Sequence, residues 1–145
     1  MKKINAILII DDDPIGKFLT RRLIEKCDIT DNIILAANGL DALKKLSEYA
    51  PYENICPELI ITEMEMPIMD GLEFIESFKG LTFENKDKVK IIANSSTIND
   101  AYKNRLGELN IDFYLHKPLN IETIHEIAHT LETVQILSVL KKEIR

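Results

Sequence analysis

Four short stretches of this 145-residue chain carry side chains suited to holding phosphate or a hard metal ion. They are the acid run Asp11, Asp12 and Asp13, the glutamate Glu63 in "LIITEMEMP", the polar run Asn94, Ser95, Ser96 and Thr97, and Lys117 in "YLHKPL". Carboxylates crowded together repel one another unless a positive charge sits among them. Oxygen donors with no His or Cys suit magnesium rather than zinc. A lysine adds a compact point charge, and a serine hydroxyl donates to or accepts from an oxyanion. Brought together, these residues would form a site for a phosphoryl group and its cation.

Convergence requires an architecture that places all four stretches at one edge. Short apolar runs at 6–10, 33–36, 59–62, 89–93 and 112–115 read as buried strands. Amphipathic segments at 14–26, 40–49, 71–78, 99–109 and 121 to about 142 read as helices. In the last of these Ile121, Ile124, Ile127, Leu131, Val134, Leu137 and Leu140 recur every three or four residues. Asp13-Pro14 supplies a helix N-cap with proline at the first helical position, and Asn38-Gly39 marks the turn into the second helix. The stretch 80–88, "GLTFENKDK", reads as a polar loop. Continuous apolar strands alternating with helices imply an α/β, doubly wound, five-stranded parallel sheet covered on both faces. Such folds bind ligands beyond the carboxyl ends of the strands, where the polar stretches fall.

Composition narrows the field. The chain fits one domain with one core. At 46% hydrophobic and 29% charged residues it has the balance of a globular protein, and a net charge of −6 excludes a basic nucleic-acid surface. No apolar run approaches the roughly 20 residues of a membrane span, and the N-terminal run ends in three Asp, unlike a signal peptide. Cys27 and Cys56 lack metal-ligand spacing and read as reduced thiols of a cytoplasmic protein. Met64, Met66 and Met69 read as loop packing. His125 and His129, four apart on the last helix, read as a solvated or partner-facing face.

The pieces "LIIDDDP", "ANGLDAL", "ELIITEMEMPIMDGLEF", "NSST" and "YLHKPL", in this order at successive strand ends, resemble the receiver domain of bacterial two-component response regulators. The resemblance covers residues 1–131 and leaves 132–145 as an extension of the last helix. It implies a flavodoxin-like sheet of order 2-1-3-4-5 and a non-enzymatic module in a phosphorelay, signalling by protein contact. Its partners would be a sensor histidine kinase or phosphotransfer protein, and a downstream target or a second copy. It assigns Asp11 and Asp12 to the metal-binding acid pair and Glu65 to the residue whose backbone carbonyl binds magnesium. Ser95 falls at the hydroxyl that bonds the phosphoryl oxygen, Lys117 at the phosphate-pairing lysine with Pro118 beside it, and Tyr114 at the aromatic switch.

The departure is at the centre. The family's phosphoacceptor is Asp, four residues before the proline of the Met-Pro pair, and four before Pro67 stands Glu63. Thr62 points to the opposite face of the strand. The extra methylene moves the carboxylate by about 1.5 Å. Phosphoryl transfer rests on positioning, where an error of ~1 Å costs on the order of 100-fold. Glu63 therefore implies impaired phosphorylation or partial mimicry of a phosphoryl group. The alternatives are an aspartate-type metal-dependent phosphohydrolase, for which a substrate cap is lacking, and a phosphorylation-independent scaffold.

Overall fold

The computed structural model describes residues 3–49, 56–82, 86–111 and 113–131. Five strands form one parallel sheet: β1 (Ile7–Ile10), β2 (Ile33–Ala36), β3 (Leu59–Glu63), β4 (Lys90–Ser95) and β5 (Phe113–His116). Their order across the sheet is β2-β1-β3-β4-β5. The helices are α1 (Pro14–Cys27), α2 (Gly39–Tyr49), α3 (Gly71–Gly80) and α4 (Asp100–Glu108), with residues 121–131 forming α5. Within the expected polar loop, Lys86–Lys88 closes a single 3-10 turn. The expected start of the fifth strand at 112, the run of the last helix to about 142, and the extension 132–145 lie outside the described residues.

Strand sequences dictate the layering. Ile7, Ile9, Leu59, Ile61 and Ile92 pack with Ile24 and Cys27 of α1 and Ile124 and Ile127 of α5. The alternate positions Leu8, Ile10, Ile60, Ile91 and Ala93 pack with Ala42 and Leu46 of α2, Phe74 and Phe78 of α3, and Leu106 of α4. Period-two alternation thus gives each strand two apolar faces, which explains the unbroken hydrophobic runs.

Each helix starts on an Asp or Asn whose side chain accepts one of the unpaired N–H groups of the first turn. Asp13 accepts from Ile15 N, Asn38 from Asp41 N, Asn99 from Tyr102 N and Asn120 from Thr123 N. Asp70 accepts from Glu73 N while Glu73 reaches back to Asp70 N, a capping box that fixes the start of α3. These starts all follow strand ends, so every β-to-α turn opens on the same edge.

Candidate functional site

Register decides which polar side chains meet. Ile9 pairs with Ile61, and Glu63 pairs with Asn94. Asp11 lies two past Ile9, and Glu63 two past Ile61, so both project from the face covered by α1 and α5. Burial there is nearly complete: Asp11 is 4% exposed and Glu63 7%.

Lys117 supplies the positive charge between them. Its Nζ donates to Asp11 Oδ2 at 3.1 Å and pairs with Glu63 Oε2. Burial alone disfavours its ammonium, but the hydrogen bonds to Glu63 and Asp11 and their charges outweigh that, so its pKa lies above the ordinary lysine value. Lys117 is positioned by its own backbone, whose N–H donates to Ser95 O at 2.8 Å; its peptide bond to Pro118 is cis.

The remaining carboxylate oxygens are held locally. Glu63 Oε1 accepts from the backbone N–H groups of Met64 at 3.2 Å and Glu65 at 3.3 Å. Asp11 Oδ1 accepts from Asp13 N at 3.0 Å. Two glycines allow this packing. At Gly71 a Cβ would stand 2.3 Å from Glu63 O, and at Gly16 it would stand 2.6 Å from Asp11 Oδ2. Between Glu63 and α3 the chain turns through Ile68, 76% exposed at φ 71°, with Met69 N donating to Pro67 O. A β-branched residue in that region is strained.

The other expected site residues lie apart from this cluster. Asp12 and Glu65 are exposed, and among the described residues no group of three or more His, Cys, Asp or Glu side chains is placed to hold a metal ion. The set Asp11, Asp12, Glu63 and Glu65 carbonyl has the right donor chemistry for magnesium, but it does not fit a cation as arranged, because the Lys117 ammonium fills the space between the two buried carboxylates. Ser95 belongs to the opposite face of β4, with Ala93, and its hydroxyl donates to Thr97 O at 2.8 Å instead of turning to Glu63. Tyr114 is half-buried; its hydroxyl accepts from Asn99 N at 3.2 Å and lies 3.5 Å from the same Thr97 O. Ser95 and Tyr114 therefore meet on one carbonyl of the β4–α4 loop.

Asn94, expected in a polar run beyond a strand ending at 93, is part of the strand: β4 continues through it to Ser95, and it shares a row with Glu63. The signal was its register: two past Ile92, it belongs to the same face.

The doubly wound sheet, with acids at the carboxyl ends of β1 and β3 and a lysine after β5, is identified by comparison with known proteins. A family model described as the response regulator receiver domain matches residues 7–129. The chain belongs to that family, and is a receiver domain of two-component signalling. A two-component response regulator from Cytophaga hutchinsonii superposes with a TM-score of 0.81 at 26% identity, over 91% of this chain and 99% of the other. Response regulator Rcp1 from Synechocystis is 24% identical over 131 residues, 88% of this chain and 86% of Rcp1. Its manganese-bound form shares the fold at 23% identity with a TM-score of 0.65, over 88% of this chain and 91% of that one. The probable C4-dicarboxylate response regulator DctR from Priestia megaterium is 24% identical over 93% of this chain, which spans only 55% of DctR. No helix among the described residues is long and apolar enough to cross a membrane.

Proposed function

We propose that this receiver domain is impaired in phosphoryl uptake at Glu63 and signals by protein contact from a site that Lys117 neutralises internally. The supporting observation is the engagement of both Glu63 oxygens, one by two backbone N–H groups and the other by Lys117. An acceptor must present a free oxygen in line with the phosphorus, and its geometry governs the rate. Here the carboxylate would first have to break these contacts.

Magnesium, the hard cation to which Asp11, Asp12, Glu63 and the Glu65 carbonyl are suited by donor type, competes with Lys117 for Glu63 and Asp11. It would neutralise the acid cluster when bound; that Rcp1, which shares the fold, has a manganese-bound form supports a divalent ion in this reading. Mimicry of a phosphoryl group is limited. Driving a two-state switch from 1:99 to 99:1 takes about 5.5 kcal/mol of differential interaction. The charge-assisted contact with Lys117 offers roughly 1.5–3 kcal/mol, and Ser95, the other expected partner, is bound to Thr97. The loop therefore rests in its unswitched arrangement. A cytoplasmic sensor histidine kinase or phosphotransfer protein is the upstream partner class, with a downstream protein or a second copy as the receiver of the signal. Family membership favours this signalling role over a phosphohydrolase.

Amide chemical shifts of residues 95–99 and Tyr114 test the reading. The protein is expected to match Glu63→Gln closely and to differ from Glu63→Asp treated with beryllofluoride. Shifts midway between those two would instead establish partial mimicry.

A further inference from the structure

Asn94 is 4% exposed, and its side-chain Oδ1 has no hydrogen-bond partner. A buried amide oxygen left unpaired costs stability, and native chains keep few of them. Its surroundings suggest what it is kept for. Asn94 pairs with Glu63 on one side and Leu115 on the other. In-register neighbours in a parallel sheet point to the same face, which here is the face of Asp11 and Glu63. Lys117 starts two residues beyond Leu115, yet its ammonium reaches Asp11 on the far side of β3. Strands lie about 4.8 Å apart, so the lysine side chain must pass over the end of β4, where Asn94 stands.

An ammonium has three hydrogens to donate; one goes to Asp11, and Glu63 Oε2 is held as an ion-pair partner. Asn94 Oδ1 is an acceptor without a donor, in the row that the lysine crosses. We infer that Asn94 is a second seat for the Lys117 ammonium. When the charge of Glu63 is removed, Nζ withdraws from Glu63 and is received by Asn94 Oδ1. Asn94 is thus a positioning residue that acts through Lys117.

A double-mutant cycle on melting temperature separates this role from plain packing. Alone, Asn94→Val is expected to leave the melting temperature unchanged or raise it, since an orphaned acceptor is lost. In a Glu63→Ala background the same substitution is expected to lower it by a few degrees, because Lys117 then depends on Asn94. The better strand propensity of Val adds equally to both arms and cancels. A shift of the same sign and size in both backgrounds would overturn the inference. Should Glu63→Ala fail to fold, Glu63→Gln tests the same move by the NOE between the Lys117 ε-methylene and the Asn94 side-chain amide, which is expected to strengthen relative to the parent; an unchanged NOE overturns the inference too.

Discussion

Replacing Lys117 by Met keeps the length of the side chain and removes its charge, leaving Asp11 and Glu63 buried beside each other with nothing between them. Both carboxylates are more than nine-tenths buried, so neither can recover much hydration. Breaking a buried pair by deleting one partner typically costs 3–5 kcal/mol, a large share of the roughly 5–15 kcal/mol that holds a domain together. At roughly 2–4 °C per kcal/mol for a domain of this size, melting should fall by about 6–20 °C. The loss should also be recoverable. With the ammonium gone, magnesium has an open site between the carboxylates, and at 100 times its dissociation constant it restores about 2.7 kcal/mol. The assay is thermal denaturation at neutral pH with and without magnesium. Arg105→Met is the control, since its pairs with Glu76 and Glu108 lie at the surface and exposed pairs contribute little. A fall in Lys117→Met no larger than the control's, or one that magnesium leaves untouched, would refute the reasoning.

Three further outcomes follow from the geometry. Gly71→Ala should destabilise the fold by about 1–3 kcal/mol, because the new methyl meets the Glu63 carbonyl, and urea denaturation measures it. Ile68→Asn should stabilise by about 1 kcal/mol in the same assay, since Asn tolerates positive φ and the exposed Ile side chain gives up little. Asp41 has its pKa held below the usual aspartate range by the Ala37 N–H and then by Lys45. Its contribution is therefore present above the unfolded value of about 3.9 and is lost as pH falls through the lower folded value. Melting of Asp41→Asn and of the parent should converge below that window; a gap that stays constant to the lowest pH would contradict the assignment.

Much of the architecture was legible because the strands are so uniformly apolar. Ile7 to Ile10 and Leu59 to Ile61 face a helical layer on both sides, and a two-faced buried strand has no polar alternation to blur it. The Asp13-Pro14 cap marked the start of α1 in the same way. The end of β4 was harder to read. Asn94 and Ser95 are turn-forming types by composition, yet both pair with β5, because hydrogen bonding to Leu115 and His116 overrides local preference there. With the strand taken to end at 93, the pattern assigns neither residue to a face of the sheet. The meeting of Asp11, Glu63 and Lys117 at one edge could be read from strand ends alone. The choice of partners could not: Ser95 turns to Thr97, a carbonyl supplied by loop conformation, and Glu63 Oε1 folds back on its own downstream N–H groups.

Phosphoryl uptake tests the central claim most directly. Incubating the protein and Glu63→Asp separately with acetyl phosphate and magnesium, then measuring intact mass, reads the site without any partner. Shortening the side chain by a methylene withdraws it from Lys117 and restores an aspartate at the strand end, so Glu63→Asp should gain one acid-labile phosphoryl group while the parent stays unmodified. A parent protein that takes up phosphate at Glu63 as readily as the aspartate variant would contradict the account.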